Sequence, residues 1–363
     1  MKIGLIIYGS LDTLSGGYLY DRKLVEYLRL QGDTVEIISL PPGMTDRSDW
    51  RNYAAHLADN FTFRLLPGLD ILIQDELNHP SLVCANLGRH PYPVISLVHH
   101  LRCSELRPRW QNSFYRVVEK RYLCSVDGFI FNSQTTKGVV NELIGNGKPA
   151  IVAFPPTDRF GAGLPAALVA ARAAESSPLR ILFLGNVIPR KGLHTLLEAI
   201  RRQTLDVRLD VIGSLTADSV YAAEMQREAS GLSPLSLVSF HGSKDNDVLA
   251  GKLRAAHVLA VPSSYEGFGI VYLEGMAFGL PAIGTTAGAA GEIIRDGETG
   301  YLIAPEDAEM LAARLAALAS DRALLARMAL NALKRYQQQP TWEQTAGEIR
   351  EFLQKMIEIK SGK

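Results

Sequence analysis

Two glutamates bracket a glycine turn in the stretch Ser264-Tyr265-Glu266-Gly267-Phe268-Gly269-Ile270-Val271-Tyr272-Leu273-Glu274-Gly275-Met276. An apolar run, Val258 to Val261, leads into it and stops at Pro262. Strand, glycine turn and helix in that order build a pocket for a charged small molecule, because backbone N–H groups and the helix dipole converge on the turn. The amides of Gly267, Phe268, Gly269 and Ile270 are therefore candidate phosphate donors. An ionised carboxylate accepts two hydrogen bonds side by side, which suits a ribose diol. A glutamate in the first turns of such a helix also needs a partner if it is buried. The competing structural readings are an arginine pair for Glu274 and helix-dipole stabilisation for Glu266.

A second loop has the same character. Gly185-Asn186-Val187-Ile188-Pro189-Arg190-Lys191-Gly192 lies between an expected strand and an expected helix. A cation beside a helix N-terminus compensates a diphosphate, which makes Lys191 the first candidate contact and Arg190 the second. The alternative is a solvated pair on a turn. A third loop, Thr285 to Ile294, is rich in small residues, and Asp296-Gly297-Glu298-Thr299-Gly300 reads as a tight turn into a strand. Asp245-x-Asp247 sits between a strand and a helix, where an N-cap role outweighs metal binding.

These loops need a scaffold, and the chain supplies it twice. Ile3 to Tyr8, Val35 to Leu40, Ile71 to Gln74, Val94 to His99, Gly128 to Asn132 and Ala150 to Phe154 read as strands separated by helical stretches. After Pro155-Pro156 the segment Gly161 to Ser177 reads as a surface connector with a helical middle. A second alternation of strands and helices starts at Arg180. The expectation is an α/β chain of two doubly wound, Rossmann-like domains facing each other across a cleft, 1–160 and 178–340. A helix over 341–363, with Trp342, Ala346, Ile349, Phe352, Leu353 and Ile357 on one face, would pack back on the first domain.

With 363 residues the chain has room for two cores. Lys plus Arg equals Asp plus Glu at 38 each, which argues against a nucleic-acid surface. Three isolated cysteines, without a CxxC pair, fit a reducing compartment and give no zinc spacing. No secretory signal or spanning segment is evident, so the expected location is the cytoplasm, with peripheral contact on the inner membrane face left open.

The loops together resemble the retaining, nucleotide-sugar-dependent glycosyltransferases of family 4, which have the GT-B architecture. The resemblance rests on Glu266-x7-Glu274, Pro262-Ser263, Glu266-Gly267-Phe268-Gly269, Glu274-Gly275-Met276-Ala277, Gly279-Leu280-Pro281 and Gly297-x-Thr299-Gly300, and it covers nearly the whole chain. It implies that Glu266 meets the hydroxyls of the transferred sugar and Glu274 the ribose. It assigns the diphosphate to Lys191 and to an arginine whose place is taken here by Asn186, with Arg190 next to Lys191. An amide there brings no charge. Gly16-Gly17 matches the family's glycine loop. Val98-His99-His100 matches a site with a histidine near the transferred sugar, which implies a catalytic role for His99 beside Lys191 and Glu266, with His100 as the alternative. Asn132-Ser133 and Asp75 end strands and are candidate acceptor-side residues.

The resemblance implies transfer of a sugar, a hexose first, from a UDP- or GDP-sugar to a hydroxyl, without metal and without a further cofactor. Glu76 is a further candidate beside Asp75. The basic segment 102–121, with Arg102, Arg107, Arg109, Arg116, Lys120 and Arg121 beside an apolar stripe of Trp110, Phe114, Val117 and Val118, suits an anionic or lipid-linked acceptor, or the charged outer face of an ordinary helix. The alternatives are a nucleotide-sugar binding protein and a non-transferring GT-B enzyme such as an epimerase. A dehydrogenase is disfavoured, because the first loop lacks GxGxxG.

Overall fold

The structure is a computed structural model that describes residues 1–13, 16–40, 68–88, 90–105, 107–156, 159–176, 178–202 and 206–362. Leu14 and Ser15 of the first glycine loop, Leu106 of the basic segment, Ser177 of the connector and the terminal Lys363 lie outside the described residues. The chain divides into two compact units, Met1–Pro156 with Pro340–Lys363, and Thr157–Gln339.

The first unit holds β1 (Lys2–Tyr8), β2 (Thr34–Leu40), β3 (Ile71–Asp75), β4 (Val94–Val98), β5 (Gly128–Phe131) and β6 (Ala150–Val152), all parallel, in the order β2-β1-β3-β4-β5-β6. The central strands are apolar on both faces, as a sheet covered by helices on both sides requires. The second unit holds β7 (Leu179–Leu184), β8 (Val207–Ile212), β9 (Ser236–Gly242), β10 (Val258–Ala260), β11 (Ala282–Thr285) and β12 (Gly300–Ile303), in the order β12-β11-β10-β7-β8-β9. The two doubly wound sheets read from sequence are therefore present. In each, the strand order reverses at one point, between β1 and β3 and between β7 and β10. Such switch points are where open α/β sheets bind ligands, beyond the carboxyl ends of the strands.

The segment read as a surface connector is not one. Its helix Ala166–Ala173 buries Val169 and Ala173, and Leu164 N–H donates to the Ala277 carbonyl at 2.8 Å. Arg172, also buried, donates to the Gly279 carbonyl at 3.0 Å. Low complexity in alanine hid a packing face that needs only small side chains. A helix at Arg322–Gln337, in a stretch left unassigned from sequence, starts at Asp321, whose side chain accepts from Leu324 N–H at 2.8 Å.

The terminal helix Trp342–Ser361 opens with a full capping box from Thr341 and Gln344. Trp342, Ala346, Ile349, Leu353 and Met356 share a core with Ile3, Leu5, Tyr20, Leu24 and Leu28 of the first unit. Phe352 and Ile357 lie at the edge of that core, only partly buried. Arg350 Nε reaches the Asp33 carboxylate at 2.7 Å, and the terminal amine reaches the other oxygen at 2.7 Å.

The basic segment forms the helix Arg109–Ser125, but its buried stripe differs from the expected one. Tyr115, Val118, Glu119, Tyr122 and Leu123 face inward, while Trp110 and Val117 are 58% and 68% exposed. Glu119 holds a core position because it accepts the N–H groups of Arg102 and Cys103 at 2.6 and 3.2 Å. Among the described residues, no helix is long and apolar enough to cross a membrane.

Candidate active site

In the second unit the lysine loop leaves the carboxyl end of β7 and the glutamate loop leaves that of β10, the two strands that pair at the switch point. Their loops are tied together. Ser264 N–H donates to the Arg190 carbonyl at 2.8 Å, and Arg190 Nη1 donates to the Tyr265 carbonyl at 3.0 Å. Gly192, at φ 72°, caps the Pro189–Lys191 turn, and a Cβ there would stand 2.1 Å from the Pro262 carbonyl oxygen. Only glycine lets the two loops approach this closely.

The outcome is a buried ion pair. Lys191 Nζ reaches Glu266 Oε1 at 2.5 Å, and Ser263 Oγ donates to the same oxygen at 2.6 Å. Burial pushes the Lys191 ammonium down, against the attraction of Glu266. Burial also raises the Glu266 carboxyl, but Lys191 and Arg190 outweigh it and hold the group below its ordinary value. The Glu266 backbone is fixed as well, since Ala289 N–H donates to its carbonyl at 2.8 Å across an isolated bridge to Gly288.

The helix Ile270–Ala277 begins after Gly269, which takes the left-handed conformation at φ 95°. Phe268 is buried and Gly267 and Ile270 are half-buried at this entrance. Glu274 is buried on the helix and paired with Arg159 Nη1 at 2.9 Å. The arginine pairing weighed for Glu274 from sequence thus exists, though the carboxylate is not the partly exposed group that reading implied. Burial raises its carboxyl above the ordinary value, and Arg159 only partly opposes this. Arg159 is held in turn by Asn246 Oδ1, at 2.9 Å from Nε and 2.6 Å from Nη2. Asn186 is exposed, and its Oδ1 accepts from Ser214 N–H at 3.4 Å. Asp245 caps the helix Asn246–Ala255 by accepting from Val248 N–H at 2.9 Å.

In the first unit, Gly16 and Gly17 open the helix Gly16–Leu30. A Cβ on Gly17 would stand 3.2 Å from His99 Cδ2, so these sequence-distant candidates meet. The His99 ring is buried just past β4. Its Nε2 lies 3.2 Å from Asp21 Oδ1, and its backbone N–H donates to Glu76 Oε2 at 3.2 Å. Burial alone would lower the His99 pKa, but the hydrogen bond and charge of Asp21, with the charges of Asp75 and Glu76, raise it to about 9. The donor atoms of Asp21, Asp75 and His99 fall within 4.8 Å of one another, a spacing a cation could use. In the structure the His99 Nε2 and Asp21 Oδ1 atoms are in direct hydrogen-bond contact. His100 is engaged elsewhere, with Nε2 3.0 Å from Glu105 Oε1.

Asp75 accepts from Leu77 N–H at 2.9 Å and caps the short turn that follows β3. Asn132 and Ser133 follow β5. Ser133 Oγ accepts from Thr136 N–H at 3.0 Å and so caps the next helix, while Asn132 Oδ1 accepts from Thr136 Oγ1 at 3.2 Å. Sequence reading passed over Asp21 and Arg159. Asp21 stands four residues after Gly17 on one helix, the spacing that puts both on one face, and that signal was available. Arg159 carried none, since its partner lies 115 residues away.

Known proteins are similar to this chain in fold and, over part of the second unit, in sequence. Residues 169–335 match the family model of the glycosyl transferases, group 1. Glycogen synthase of Mycobacterium tuberculosis is 27% identical over 274 residues, which cover 74% of this chain and 64% of that protein, less than two thirds of its length. Sucrose-phosphate synthase of Thermosynechococcus elongatus superposes with a TM-score of 0.79 at 22% identity, covering 98% of each chain. Anabaena HepE in complex with UDP-glucose superposes with a TM-score of 0.71 at 19% identity, covering 98% of this chain and all of that one. The chain has the GT-B fold of paired Rossmann-like domains, and its residues 169–335 match the model of the group 1 glycosyl transferases.

Proposed function

We propose that this chain is a retaining glycosyltransferase that moves a sugar from a nucleoside diphosphate sugar, carrying UDP or GDP, to a hydroxyl acceptor. The observation that carries the reading is the Lys191–Glu266 pair at the β7/β10 switch point, where a cation, a carboxylate and a helix entrance converge. In this reading Glu266 takes the hydroxyls of the transferred sugar and Glu274 the ribose diol. Lys191, Arg190 and the amides of Gly267 to Ile270 stabilise the charge that develops on the leaving diphosphate, without a metal. Asn186 lends one uncharged donor. The UDP-glucose bound by HepE supports a sugar nucleotide as donor.

His99, with Gly17 against it, belongs to the sugar-binding side of the reaction, as does the neighbouring Gly16. Asp75, Asn132 and Ser133 line the carboxyl ends of the first sheet, where an acceptor would approach. The exposed Arg109, Arg116, Lys120 and Arg121 suit an anionic acceptor, such as a phosphorylated sugar or a lipid-linked one at a membrane surface.

A screen of UDP- and GDP-sugars, read by free-donor hydrolysis, tests this without knowledge of the acceptor; a folded chain that hydrolyses and binds none of them refutes it. Glu274→Ala should weaken nucleotide binding by about 1–3 kcal/mol, the scale of a lost charged hydrogen bond. Glu266→Ala should reduce turnover more than it reduces binding of the bare nucleotide, and equal losses would remove its sugar role.

A further inference from the structure

Asp21 is fully buried, yet among the described residues the only hydrogen bond to its carboxylate is the one at Oδ1 from His99, and Oδ2 has no partner. A carboxylate desolvated to this degree is stabilised by an opposite charge. Among the described residues, the side chain in hydrogen-bond contact with this carboxylate is the His99 ring. Tyr20, the neighbour of Asp21 on the helix, sets its ring edge-on to His99 with centroids 5.6 Å apart. Gly17, one turn earlier, admits the imidazole against the helix backbone. From the other side, Glu76 takes the His99 backbone N–H and Thr136 Oγ1 donates to its carbonyl at 3.4 Å. Among the described residues, the titratable groups facing the ring are thus Asp21 and Tyr20 on the helix and Asp75 and Glu76 at the end of β3, with no cation among them.

We propose, resting on the transferase reading above, that Asp21 is a positioning residue. It holds His99 as an imidazolium with Nε2–H bound, leaving Nδ1–H as an obligatory hydrogen-bond donor to an oxygen of the transferred sugar. A neutral imidazole could turn either nitrogen into an acceptor, whereas an imidazolium donates from both. The site would therefore read a sugar oxygen only as an acceptor. The histidine charge is lost as pH rises through about 9, so sugar transfer should fall along an alkaline limb there.

The test follows the His99 ring by NMR on side-chain-labelled protein, with His99→Gln identifying its signal, alongside pH-rate profiles of donor turnover. In the wild-type chain the ring should keep its imidazolium signature to near pH 9. In Asp21→Asn both the ring titration and the alkaline limb should move down together by about 1–3 pH units. Asp21→Glu, which keeps the charge, should restore most of the wild-type profile and serves if the asparagine variant does not fold. A wild-type His99 that is neutral at pH 7, or an alkaline limb that stays in place while the ring titration moves, overturns the proposal. A wild-type chain that turns over no sugar nucleotide instead defeats the transferase reading, and the NMR comparison alone then decides whether Asp21 charges the ring.

Discussion

Replacing Lys191 with methionine removes the cation from a carboxylate that stays buried. Glu266 would keep Ser263 Oγ and the more distant Arg190, neither of which replaces a contact at 2.5 Å. Both side chains of the pair are largely shielded, at 13% and 7% exposure, so solvent screening offers little relief. Breaking such a pair from one side costs about 3–5 kcal/mol. The pH dependence should also change sign. In the wild-type chain the Glu266 carboxyl is held below its ordinary value, so its contribution is present at neutral pH and lost as pH falls through the lowered folded value. In Lys191→Met the burial that raises the carboxyl is no longer outweighed. Its folded pKa then lies above the unfolded one, and stability is lost as pH rises through it. Urea unfolding at pH 5 and pH 8 should show the variant closer to wild type at the lower pH. Lys191→Met with Glu266→Gln should recover much of the loss, because no buried charge remains. A single variant with an unchanged urea midpoint at pH 8, or a double variant less stable than the single, would refute the argument.

Three further outcomes are expected. Ser133→Ala should cost about 1 kcal/mol through the lost cap of the helix Gln134–Ile144, read by thermal unfolding, with donor affinity unchanged. Trp342→Ala should destabilise the first unit by about 3–5 kcal/mol in denaturant, since its ring stacks edge-on to Tyr20 at 5.4 Å within the shared core. Acidification should weaken the same unit as Asp33 is protonated. Burial raises the Asp33 carboxyl, but Arg350 and the terminal amine lower it further, so Arg350→Ala should flatten the acid limb of an unfolding profile.

The doubly wound architecture was legible because each strand is a short apolar run closed by a turn. Glu266 and Lys191 stood out because they occupy loops between a strand and a helix, and Glu274 because it sits in the first turns of the helix that follows, where a charge has few structural uses. Side-chain partners were less legible. Arg159 lies in a proline- and glycine-rich stretch with no period, and its contacts to Glu274 and Asn246 exist only after the fold closes. The helix Arg109–Ser125 shows a second limit. Counting only apolar residues favoured Trp110 and Val117, while the buried face uses tyrosines and a hydrogen-bonded Glu119, which such a count omits. Gly161 to Ser177 shows a third, since a helix of small residues packs closely without a conspicuous apolar stripe.

The terminal helix also bears on how the chain reaches this structure. Arg350 and Asp33 are 317 residues apart in sequence, yet they brace one core. On the ribosome β1 and the helix Gly16–Leu30 emerge first, while Trp342 follows only after all of Thr157–Gln339 has been made. Until then the apolar surface of Leu24, Leu28 and Tyr20 lacks its cover, and the second unit is free to fold first. Domains usually complete themselves in order of synthesis. Here the unit that is begun first is finished last, and chaperone dependence during synthesis should track the nascent first unit rather than the second.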